Sequence, residues 1–118
     1  MDQICLVVPI LPGRTADARD FMRELGTEHS TGYQRSEQRM GIVKEAWYLA
    51  PAPTGDHLVA YLESPDFPAA LSALSQSQDE FDRWFRQRLV DATGVDLSIP
   101  PTAPLPELLF SYPSDGRQ

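Results

Sequence analysis

Residues 42 to 64, IVKEAWYLAPAPTGDHLVAYLES, decide the fold: two strand-like runs, Ile42 to Ala50 and Asp56 to Ser64, enclose Pro51 to Gly55. Both runs are strand-like, and a connection holding two prolines and a glycine suits a hairpin loop. With the loop symmetrical about Pro53, Glu45 stands opposite Tyr61, Trp47 opposite Val59, Val43 opposite Glu63 and Leu49 opposite His57. These residues then share one polar and aromatic sheet face. Lys44, Ala46, Tyr48, Leu58, Ala60 and Leu62 form the other, more apolar face, suited to lie beneath helices.

Upstream of the hairpin, Gln3 to Pro9 is short, apolar and closed by a Pro-Gly pair, which predicts a buried strand. The period then changes: Ala18, Phe21, Met22 and Leu25 recur at helical spacing after Thr15, a candidate N-cap. Gly26 breaks that helix. A more polar continuation from Glu28 to Met40 keeps His29, Tyr33 and Met40 near one stripe, and Gly41 stands where a helix end needs positive φ.

Downstream, Phe67, Ala70, Leu71 and Leu74 again repeat with helical spacing after Ser64 or Asp66 as cap. In DEFDRWFRQRLVDATGVDL, residues 79 to 97, Ser77 and Glu80 have capping-box spacing, and Phe81, Trp84, Phe85, Leu89 and Ala92 share one helix face. Asp79 with Arg83, and Asp82 with Arg86, fall off that stripe and read as a solvated back. The aromatic stripe reads first as a core helix and second as the wall of a ligand pocket. After Gly94 the chain is proline-rich; ELLFSY, residues 107 to 112, is expected to be the final strand, with VDLSI, residues 95 to 99, as the alternative, and 114–118 as a frayed tail.

The order strand, helix, strand, strand, helix, strand is the split βαβ arrangement of a ferredoxin-like α+β fold. It predicts a four-stranded antiparallel sheet with helices on one face, in a single domain over 1–113. A chain of 118 residues is long enough to bury one core without staples. A net charge of -7 gives no basic field for a polyphosphate backbone, so nucleic acid is not an expected partner. Cys5 is the only cysteine, which rules out an internal disulfide and suits a reducing cytoplasm. The amino-terminal run opens on an acid and is interrupted by Pro9 and Pro12, unlike a signal peptide, and no apolar segment approaches the ~18 residues of a membrane span.

At PILPGR, YLES, FDRWFRQRL, GVDL and PPTAPLPELLFSY the chain resembles a family of small uncharacterised bacterial proteins within the dimeric α/β-barrel superfamily. The resemblance spans nearly the whole chain and implies a homodimer closed through its sheets. At superfamily distance it also points to cofactor-free monooxygenases, haem-degrading enzymes and small isomerases, as analogy only.

Among the residues themselves, Glu45, Tyr61, Glu63 and His57 are the candidate acids and bases, because a carboxylate facing a phenol in a partly dry cavity is pushed toward neutrality. The competing reading is a hydrogen-bonded network across a dimer interface. Trp47, Tyr33, Trp84 and Phe85 are the candidate ligand contacts. His29 and His57 lack metal-ligand spacing, Lys44 reads as a surface charge and Cys5 as a small hydrophobe, so neither metal nor cofactor is expected. Two functions follow: a cofactor-independent enzyme or binder of a small aromatic or apolar molecule, and a non-catalytic dimeric interaction module.

Overall fold

The computed structural model describes residues 1–99 and 104–113, so the expected tail at 114–118 lies outside the described residues. The chain is α+β. Strands β1 (Asp2–Pro9), β2 (Lys44–Ala50) and β3 (His57–Ser64) alternate with two pairs of helices, α1 (Thr15–Leu25) with α2 (Ser30–Met40), and α3 (Phe67–Gln76) with α4 (Glu80–Thr93). The strands form one sheet in the order β1-β3-β2, antiparallel throughout. This order and the paired crossovers are compatible with a ferredoxin-like plan.

The hairpin register differs from the expected one. The connection runs from Pro51 to Asp56, six residues, and pairs Glu45 with Leu62, Trp47 with Ala60 and Leu49 with Leu58. Asp56 directly precedes β3: its carboxylate accepts from Thr15 Oγ1 at 2.8 Å, and its carbonyl accepts from the Ile10 amide at 2.9 Å, continuing the β1–β3 pairing one step beyond Pro9 and His57. Side chains alternate with period two, so a slip of one residue turns a strand over relative to its partner. Glu45, Trp47 and Leu49 therefore lie with Leu58, Ala60 and Leu62 beneath the helices. Tyr61, Glu63, His57 and Val59 occupy the opposite, open face with Lys44, Ala46 and Tyr48.

The expected fourth strand is absent among the described residues. Neither 95–99 nor 107–112 joins the sheet, which leaves β1 as an edge strand. Leu109, Phe110 and Tyr112 are 86%, 82% and 89% exposed, so this apolar segment finds no cover in a single copy.

The helices pack on one sheet face. Leu58 meets Ala18 and Ala92, while Ala60 and Leu62 meet Phe67 and Ala70. A third cluster joins Phe21, Leu25, Leu74, Phe81, Phe85 and Leu89, with Phe21 and Phe85 edge to face at 5.2 Å between centroids. Burying each such side chain stabilises by about 1.5 to 3 kcal/mol. Asp66 caps α3, accepting from the Ala69 amide, and Gly41 ends α2 at φ 78°, a conformation that favours glycine.

Three local expectations are corrected. Thr15 is the first helical residue and not a cap, its hydroxyl being committed to Asp56. The side of α4 that bears Asp82 is not a solvated back: Asp82 is 1% exposed and accepts from Ser36, Ser77 and Arg39. Asp79, not Ser77, caps α4 through the Phe81 amide, and Arg86 donates to the Leu74 carbonyl instead of pairing with Asp82. Burial pushes the Asp82 pKa up, but the three donors outweigh this and hold it below the ordinary range. Asp82 thus ties α2 to α4, and Gly32 lets them approach, since a Cβ there would lie 2.9 Å from the Phe81 ring.

A carboxyl pair in an apolar cavity

Between the helix-facing side of the sheet and the helices lies a cavity of about 410 Å³. Its wall is mostly apolar, with Leu62, Phe67, Leu74, Phe81 and Phe85 among the lining residues. Besides Ser36, its polar groups form one cluster: Tyr33 and Glu37 from α2, Glu45 and Trp47 from β2. Local geometry explains the grouping. Tyr33 and Glu37 stand four apart on one helix face, and Glu45 and Trp47 two apart on one strand face. α2 carries few apolar residues and only Ser36 is fully buried in it, so its position rests on polar ties to Glu45 and Asp82.

Glu45 is the centre. Its Oε2 accepts from the Tyr33 hydroxyl at 2.5 Å and from Trp47 Nε1 at 2.8 Å. Burial pushes its pKa up, while hydrogen bonds from Tyr33, Trp47 and Glu37 oppose the rise. Glu37 is pushed up to about 9, first by burial and then by the charge and hydrogen bond of Glu45. Glu37 therefore keeps its proton well above the ordinary carboxylate range and can donate it to Glu45. Tyr33 is raised as well, by burial and by Glu45, and stays a donor.

A neutral carboxylic acid beside a carboxylate, both on the wall of an apolar cavity, offers a proton donor and a base at one place. The walls supply aromatic surface: Phe81 and Phe85 lie 6.1 Å apart between centroids, and Trp47 and Phe85 6.3 Å. Among the described residues no group of histidine, cysteine, aspartate and glutamate has the arrangement of a metal site.

Of the residues expected from sequence to form a site, Glu45, Trp47, Tyr33 and Phe85 line this cavity. The other four do not join them. Tyr61, Glu63 and His57 lie on the open sheet face, where the Tyr61 hydroxyl donates to Glu63 at 2.6 Å, and the register is the reason. Trp84 turns away from the cavity and stacks on His29, with centroids 3.7 Å apart and planes 14° from parallel. Glu37 was missed, yet its signal was present: Tyr33, Glu37 and Met40 follow the i, i+4, i+7 spacing of a single stripe.

Fold and site together define an α+β protein with an apolar cavity, open to solvent on one side, and a hydrogen-bonded carboxyl pair in its wall. The chain matches no protein-family model, no curated protein and no solved structure. Among the described residues no helix is long and apolar enough to cross a membrane.

Proposed function

We propose that this protein binds a small aromatic or apolar molecule in the cavity and acts on it without a cofactor by acid-base chemistry, with Glu45 as base, Glu37 as proton donor and Tyr33 as positioning donor. One observation carries the reading: among the described residues on the wall of this largely apolar cavity, the ionisable groups are the carboxyl pair Glu37 and Glu45, and Tyr33, whose hydroxyl donates to Glu45. A pair that served stability alone would be replaced at little cost by packed apolar side chains.

The fold is read here as the ferredoxin-like unit of a dimeric α/β barrel, and the protein as a homodimer. The strand order and the exposed apolar residues Val7, Tyr48, Leu109 and Phe110 support this. Those same exposed residues favour the second reading, a non-catalytic dimeric interaction module, which requires the cavity to bind nothing.

The test uses 1-naphthol as a binding probe, followed through tryptophan emission, and 5-nitrobenzisoxazole as a substrate for a desolvated carboxylate base. Saturable quenching by 1-naphthol, and ring opening of 5-nitrobenzisoxazole that is lost in Glu45→Gln while naphthol binding persists, is the expected result. Absence of binding overturns the reading. Binding with equal ring opening in Glu45→Gln leaves a binder whose base is not Glu45.

A further inference from the structure

Two features of the fold are complementary and lie unused in a single copy. The first is the edge of β1, a strand of eight residues that among the described residues is hydrogen-bonded on one side only, to β3. An unpaired edge of this length presents a row of amide and carbonyl groups to any extended segment. Its open-face side chains include Val7, 62% exposed, and Cys5, also exposed.

The second is the carboxy-terminal arm from Glu107 to Tyr112. Its sequence, ELLFSY, is that of a strand, and Leu108, Leu109, Phe110 and Tyr112 are all large and exposed. Its root is anchored: Leu105 packs against the cluster of Ile42, Ala60, Leu62, Phe67 and Ala70, and Pro104 and Pro106 line the cavity beside it. The prolines on either side of Leu105 favour extended backbone and resist folding back, so the arm projects instead of lying on its own edge strand.

From these we infer that the arm of one copy adds as the missing fourth strand to the β1 edge of a second copy, in a reciprocal exchange. The inference rests on the homodimer reading above and goes beyond it, because it names the segment that makes the dimer. A two-fold operation satisfies both edges and covers both arms at once, which is the isologous closure that limits assembly to two copies. Main-chain hydrogen bonds along the strand supply affinity, and the alternate side chains Leu109 and Phe110 settle on opposite sheet faces, where they find cover that their own chain does not offer. The exchange also reaches the cavity: its wall at Pro104 to Pro106 is the hinge of the arm, so the partner's edge fixes one side of each binding site.

The test is made on the full chain. Sedimentation equilibrium at micromolar concentration reads the mass, and a sample mixing 13C-labelled with unlabelled protein reads which contacts cross between copies. The expected result is a mass about twice 13.2 kDa, with filtered cross-copy contacts between the 107–112 segment and residues of β1. Leu109→Asp, at a side chain 86% exposed in the single copy, leaves the fold intact by circular dichroism and weakens the dimer roughly hundredfold. A monomer overturns both the homodimer reading and the inference. A dimer whose 107–112 segment contacts only its own chain or solvent, or one that Leu109→Asp leaves equally tight, overturns the inference alone.

Discussion

Glu37→Gln is expected to make the protein more stable than wild type at alkaline pH and no more stable near pH 4. Glutamine keeps the shape of the protonated side chain and its donor to Glu45 but has no proton to lose. In the wild-type protein the Glu37 carboxyl rises from the ordinary 4.5 to about 9 on folding. The folded state therefore holds a proton that the unfolded state has released throughout that window. Stability from a raised pKa is fully present below the unfolded value and is lost as pH rises toward the folded one. Each pH unit in the window corresponds to ~1.4 kcal/mol, so the loss by pH 7 is ~3 kcal/mol at most, and about 1 to 2 kcal/mol once water reaching the half-buried side chain is allowed for. Urea unfolding of both proteins at intervals from about pH 4 to about pH 9 isolates the carboxyl pair, because titrating groups that do not interact with Glu37 cancel in the difference. The difference should be near zero at the acid end and grow steadily in favour of Glu37→Gln. A flat difference, or one that grows the other way, would refute the assignment of the proton to Glu37.

Three further outcomes are expected. Phe85→Ala removes a buried ring packed on Phe21 and should cost about 3 to 5 kcal/mol in thermal or urea unfolding, with the cavity enlarged. Asp82→Ala strips Ser36 of its buried acceptor and frees α2 from α4, so a loss of several kcal/mol is expected, against within ~0.5 kcal/mol for Arg83→Ala on the exposed side of the same helix; equal losses would mean that the α2 to α4 tie is not made by Asp82. Gly32→Ala should destabilise by ~1 to 3 kcal/mol through the collision of its Cβ with Phe81, and a paired Phe81→Leu should recover part of the loss.

Helical spacing, loop composition and strand propensity are local properties, and they determined a good deal of this protein. Ala18, Phe21 and Leu25 are buried along one side of α1, Phe67, Ala70 and Leu74 along one side of α3, and Phe81, Phe85, Leu89 and Ala92 along one side of α4, as their periodicity requires. Gly41 and Gly94 end helices at φ 78°, as glycines placed after a periodic run do. Tyr33, Glu45, Trp47 and Phe85, singled out in the sequence for their chemistry, all lie on the cavity wall. What only the tertiary structure decided turns on non-local bonds. The face that each strand of the hairpin presents depended on the pairing register, in which Leu49 stands opposite Leu58 instead of His57. That single-residue slip separates Glu45 and Trp47 from Tyr61, Glu63 and His57, and no turn rule acting on Pro51 to Gly55 contains it. Asp82 looked like one half of a surface pair because Arg86 is four residues away, whereas its partners Ser36 and Arg39 come from another helix. The 107–112 segment has the composition of a strand and lacks a neighbour to pair with, and strand formation, unlike helix formation, needs a partner that the segment itself cannot supply.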